Sequence, residues 1–190
     1  MKKSLYSIFA LIAMLVAFTS CEKDEVENTA TVEMAGEWHV RVYALDAATG
    51  EVVDDDMFGD GDYNITTSNT AANVANEMWL VDANGYVFPY QVKIDVNPST
   101  MTFNSSTDAE NLFGASGYIY TNVDGLLAGE TVTVTNGKIV KNGTTTPSGQ
   151  PADYIEFYIS FSDDPFPGWY DLATSYKICG FRYTGFVEDE

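Results

Sequence analysis

From residue 35 onward the chain alternates. In residues 35–45, AGEWHVRVYAL, Trp38, Val40, Val42 and Ala44 fall on one face of a strand and Glu37, His39, Arg41 and Tyr43 on the other, because strand side chains point to opposite faces in turn. Residues 86–96 carry the clearest pattern: Tyr86, Phe88, Tyr90, Val92, Ile94 and Val96 occupy one face, with Pro89 predicting a bulge or an exposed edge. Residues 154–161 place Ile155, Phe157, Ile159 and Phe161 together, and 175–186 form the closing strand. Shorter extended runs are expected at 51–57, 63–68, 78–81, 101–104 and 117–122, with one helical turn at 108–113.

Turn chemistry separates these runs. Residues 46–50, 82–85 and 97–100 are rich in Asp, Asn, Gly, Pro and Ser. Residues 131–135 alternate threonine with valine and run into Asn136-Gly137, a type I′ hairpin signal, with 138–141 returning and 142–152 as a loop. About nine or ten short strands without helical periodicity predict an all-β antiparallel barrel or, alternatively, a two-sheet sandwich. No internal repeat is visible.

The first 20 residues stand apart. Lys2 and Lys3 precede an apolar run at 8–18, and Phe18-Thr19-Ser20 leads to Cys21, the layout of an export signal. No other run approaches the roughly 18 apolar residues needed to span a bilayer. Residues 21–33 are polar and acidic and read as a tether, leaving 34–190 as a single domain. With the leader removed, 7 basic residues face 28 acidic ones, a net charge of −21. That charge repels phosphate backbones and argues against nucleic-acid partners.

Phe18-Thr19-Ser20-Cys21 resembles the lipobox of bacterial lipoproteins, with Phe in place of the more usual Leu. The resemblance implies an acylated Cys21 at the mature N-terminus, holding the protein to a membrane. Glu22-Lys23-Asp24-Glu25 is similar to the lysine-plus-two-acids export signal of Bacteroidetes surface lipoproteins, which implies an outer-membrane anchor with the domain facing the exterior; a plain acidic linker is the alternative.

Gly36-Glu37-Trp38 early and Arg182 late resemble the arrangement of lipocalin-type (calycin) barrels, in which the arginine lies over the tryptophan and closes one end. AGEW at 35–38, TAANVANEMWL at 70–80, YQVKIDVNPSTMTF at 90–103, and YIEFYISFSDDP followed by CGFRYTGF together resemble the lipid-binding putative hydrolase family of Bacteroidetes lipoproteins. What this implies is a calycin-like barrel of about 8–10 strands that takes a small apolar or amphipathic ligand. It carries over no catalytic residues.

The residues offer no enzyme outright. A serine triad needs a histidine within reach of the nucleophile, and His39 is the sole histidine; Gly114-Ala115-Ser116-Gly117 is followed by Tyr118, so no nucleophile elbow forms. Asp54, Asp56, Asp60, Asp62 and Asn64 crowd one loop, but Ile65 and Ala71 stand where an EF-hand needs glycine and glutamate. That loop is either a solvated acidic stretch or a loose calcium site, the one metal expected. Phe166, Trp169 and Tyr170 form an aromatic loop for an apolar ligand or a sugar face, or a cover over a barrel end. Docking of a glycan or protein partner through such loops is the competing function. Cys179 is expected as a small core residue.

Overall fold

β1 (Gly36–Asp46) buries Trp38, Val40, Val42 and Ala44 and leaves Glu37, His39, Arg41 and Tyr43 at least partly exposed. The computed structural model to which it belongs describes residues 28–46, 48–56, 62–82, 89–115, 131–162, 164 and 174–189. Nine further strands follow among these residues: β2 (Val52–Asp54), β3 (Tyr63–Asn69), β4 (Glu77–Asp82), β5 (Tyr90–Asn97) and β6 (Thr102–Asn104), then β7 (Ala109–Glu110), β8 (Thr131–Thr145), β9 (Pro151–Phe161) and β10 (Thr174–Arg182). Helix among them amounts to one turn, α1 (Leu112–Ala115), and a 3-10 turn at Val187–Asp189.

The strands pair antiparallel in the order β1-β3-β4-β5-β6-β8-β9-β10, and β10 returns to β1 in a ladder from Trp38 opposite Arg182 to Asp46 opposite Thr174. The sheet therefore closes on itself as an eight-stranded, calycin/lipocalin-like barrel and not as a sandwich. β2 and β7 are short additions beside β1 and β8. Closure leaves no free edge in the ring, and the inward residues of all eight strands meet in one core.

The core is filled. Trp38, Ile65, Leu80, Ile94, Phe103, Val134 and Phe157 are each at most 1 % exposed. Phe103 and Phe157 meet across it at 5.8 Å.

Several local expectations fail for a common reason, since register along a long ladder outweighs a local turn signal. Asn136 does adopt positive φ, at 54°, but β8 runs straight through it. Thr135 faces Tyr158 and Lys138 faces Glu156, so three steps on β8 match two on β9 and the pair forms a bulge. The hairpin instead turns at 146–150, where Gly149 N–H donates to the Thr146 carbonyl at 2.8 Å. Much of the supposed 142–152 loop is thus strand. Ala109–Glu110 pairs with β8, displacing the helical turn to Leu112–Ala115. Pro89 makes no bulge; it lies just ahead of β5. Cys179 is on the outer face, beside Tyr154, because Tyr176 and Ile178 take the inward positions. Tyr86, Phe88 and the run at 117–122 lie outside the described residues.

One end of the barrel is plugged. The Arg182 guanidinium lies 4.5 Å from the centroid of the Trp38 ring, donates from Nη1 to the Ala35 carbonyl at 2.5 Å and from Nε to Asp153 at 3.1 Å. The indole Nε1–H donates to Thr67 Oγ1 at 2.8 Å, which donates in turn to the Met34 carbonyl at 2.7 Å. Gly36 is required by this packing, since a Cβ there would stand 2.2 Å from Arg182 Nη1. Lys141 bridges Asp153 and Glu33 at 3.2 and 3.0 Å, pinning the entering segment. On the outer wall Glu156 joins Lys177, Tyr154 and Lys138 at 2.9, 2.7 and 3.0 Å. Burial alone would raise its carboxyl, but these three partners hold it down at about 2.

Arg182→Ala removes the ring contact, worth roughly 0.5–2 kcal/mol, together with the hydrogen bonds to Asp153 and to the half-buried Ala35 carbonyl. A loss of about 2–3 kcal/mol in urea unfolding is expected, with Arg182→Lys recovering less than half of it; an unchanged midpoint would show that the plug contributes nothing.

Candidate functional site

The opposite end is built differently. β3 begins there with Tyr63, β4 ends with Asp82 and β5 begins with Tyr90 directly opposite Asp82. Tyr176 near the start of β10 completes a polar cluster inside an otherwise apolar wall of Val42, Ile159, Phe161 and Ile178. These eight side chains line a recess with about 10 Å³ of free volume, room for about one water-sized group. The aromatic rings form a chain across it, Tyr90 to Phe161 at 6.1 Å and Phe161 to Tyr176 at 6.4 Å.

Polar groups in such a place ought to be satisfied. Tyr176 Oη–H donates to Asp164 at 2.6 Å. Asp82 is 1 % exposed. Tyr90 is equally buried, yet its hydroxyl has no hydrogen-bond partner. The other such atom among the described residues, Thr31 Oγ1, belongs to the entering segment at the plugged end. Burial, reinforced by the Asp82 charge, pushes the Tyr63 phenol well above its ordinary range. Burial, then Tyr63 and Asp82, do the same to Tyr90. Both phenols therefore keep their protons, and Tyr90 presents an unmet O–H donor to the recess.

The residues singled out by sequence are placed elsewhere. Asp62 accepts from Arg41 Nε at 2.6 Å and lies 3.7 Å from His39 Nε2. Asn64 pairs with His39 Nδ1 at 2.8 Å and donates to Glu37 at 3.1 Å. Asp54 accepts from the Asp56 amide at 3.0 Å, and Asp60 lies outside the described residues. Among the described residues no three or more His, Cys, Asp or Glu side chains are grouped to hold a metal. The His39 ring nitrogens face Asn64 and Asp62, and its ring packs on Phe181 at 5.4 Å; among the described residues neither nitrogen is turned to a serine or cysteine. Cys21, Phe166, Trp169 and Tyr170 lie outside the described residues; the aromatic three fall between β9 and β10, whose joined ends carry Phe161 and Tyr176.

On the outer wall an open groove of about 360 Å³ runs past Trp79, Lys93, Asp95, Ser106, Glu110 and Leu112. Lys93 Nζ sits 5.5 Å from the Trp79 ring and 3.3 Å from Glu77. Sequence reasoning missed both places. Tyr90 and Asp82 read as parts of separate strands, and only the β4–β5 register makes them neighbours.

The family model described as "Lipid-binding putative hydrolase" matches residues 23–187. The chain belongs to that family. No curated protein matches it. Among solved structures, a structural-genomics protein of unknown function from Bacteroides ovatus is similar at 15 % identity and a TM-score of 0.41, over 79 % of this chain and 42 % of that one. The family's description includes lipid binding, and among the described residues the recess holds an unmet buried hydroxyl, that of Tyr90.

Tyr90→Phe deletes a buried hydroxyl that has no partner to lose, so stability should be unchanged or rise by up to about 1 kcal/mol. Tyr176→Phe removes a bond to a carboxylate and should cost about 1.5–3 kcal/mol. Urea midpoints of the two variants falling in the reverse order would contradict this assignment of partners.

Proposed function

We propose that this protein is a lipid-anchored surface lipoprotein of the outer membrane whose barrel receives one end of a small apolar or amphipathic ligand at the tyrosine end. The observation that carries the ligand half is the buried Tyr90 hydroxyl, unpartnered and lining a recess in an otherwise filled core. The family's description supports a lipid-like ligand. The described core residues are packed too closely to enclose a whole lipid, so the ligand enters by its end group.

The anchor half rests on the apolar run at 8–18 leading to Cys21 and on the acidic, lysine-containing stretch behind it. Each buried methylene of an acyl chain adds about 0.8 kcal/mol, so two or more chains hold firmly where one does not.

A second reading has its own support. The half-buried Trp79 indole, flanked by the Asp95 and Glu110 carboxylates in an open groove, suits a hydroxyl-rich partner such as a glycan. It concerns a different face and does not compete for the recess.

Native mass spectrometry of the purified protein should reveal a co-purified small molecule, or failing that, a fluorescent apolar probe should bind saturably. Neither occurring would end the ligand reading. Cells fed radiolabelled palmitate should label the wild-type chain and not Cys21→Ser; an unlabelled wild type would remove the anchor.

A further inference from the structure

We infer that the recess at the tyrosine end is a receptor for the terminal hydroxyl of an amphipathic ligand and rejects carboxylates, so that the ligand class is a long-chain alcohol or another hydroxyl-ended lipid and not a free fatty acid. The inference rests on the ligand-binding reading above and narrows it.

Size sets the first limit. With about 10 Å³ of free volume the recess has room for about one water-sized group, which favours a hydroxyl over phosphate, glycerol or sugar headgroups. Hydrogen bonding sets the second. Tyr90 Oη–H needs an acceptor, and no side chain or carbonyl supplies one. Charge sets the third. Asp82, opposite Tyr90 in the β4–β5 ladder and 1 % exposed, puts negative potential into a low-dielectric site, where it acts strongly; Asp164, bonded to Tyr176 at 2.6 Å, adds to it.

A hydroxyl meets all three limits, because it accepts from Tyr90 while donating towards the Asp82 side. A carboxylate accepts but is repelled. An ammonium satisfies the charge but has no lone pair for the Tyr90 proton. The high proton affinity of the Tyr63 and Tyr90 phenols, caused by burial and by Asp82, keeps the wall a donor at neutral pH. The apolar side chains of Val42, Ile159 and Ile178 complete the wall around the hydroxyl.

Isothermal titration of the protein with 1-octanol, octanoate and octylammonium tests this directly. The expected result is single-site binding of 1-octanol with octanoate at least tenfold weaker, a gap of about 1.4 kcal/mol. Tyr90→Phe should weaken 1-octanol at least fivefold, and Asp82→Asn should close the alcohol–carboxylate gap to under threefold; if the latter variant does not fold, Tyr90→Phe decides alone. Equal affinities for alcohol and carboxylate, tighter binding of octylammonium than of 1-octanol, or no effect of Tyr90→Phe would overturn the inference. Binding of none of the three probes would also overturn it, leaving a recess that holds only a water. If a co-purified molecule is found while any of these occurs, the hydroxyl assignment falls alone; if no molecule and no apolar probe bind, the broader reading falls with it.

Discussion

The return of β10 onto β1 is the contact on which the rest of the molecule depends. Without it the sheet is an open, strongly twisted ribbon with two unpaired edges; with it, every inward side chain of eight strands faces the same interior. The ladder runs from Trp38–Arg182 to Asp46–Thr174, so the same pairing that closes the ring also brings the guanidinium over the indole. Closure and plugging are one event. Long-range pairing of this kind is entropically costly before it is rewarded, which explains why one terminus of the ladder is reinforced by a ring contact, a charge-assisted bond to Asp153 and a glycine that lets the two chains approach.

Once the ring is closed, its two ends take different roles. At the plugged end each polar group of the Trp38–Thr67–Met34 chain has a partner, and the entering segment is clamped by Arg182 and Lys141. At the other end the core admits three tyrosines and an aspartate, and one phenol is left with a proton to donate. Among the described residues each end keeps one buried hydroxyl without a partner, Thr31 in the entering segment and Tyr90 in the recess. What separates the ends is that the Tyr90 hydroxyl stands in a recess lined by two further tyrosines and a carboxylate.

The alternation of Trp38 to Ala44, of Tyr90 to Val96 and of Ile155 to Phe161 was legible because a one-residue slip would turn each buried set outward. The likeness of the Gly36, Trp38 and Arg182 positions to calycin barrels made the class of fold legible too. Asn136-Gly137 misled because its backbone preference was met, but in a bulge: positive φ is a local property, while the choice between bulge and hairpin is made by fourteen neighbours on β8, Asn136 aside, and by β9. The candidate site was illegible for a related reason. Asp82 sits next to Ala83-Asn84-Gly85 and looks like the first residue of a turn, and Tyr90 looks like ordinary core. Their meeting is a consequence of register, which no window of sequence contains.

Acidity, the chain's most conspicuous compositional feature, divides in the same way. Most of the described carboxylates are at least partly exposed, where water screens them and where they contribute chiefly to solubility. Two described ones are buried. Asp189 accepts from the Ser148 amide at 2.9 Å and from the Thr184 hydroxyl at 2.6 Å, which hold it down at about 2 despite burial, and its task is to fasten the C-terminal turn. Asp82 stands among tyrosines and aliphatic side chains inside the barrel. Burying a carboxylate costs several kcal/mol even after relaxation, and a leucine there would extend the core already formed by Met78 and Leu80 on the same face of β4. A carboxylate at an inward position beside Met78 and Leu80 departs from the apolar pattern of its own strand, and that departure falls at the tyrosine end of the barrel.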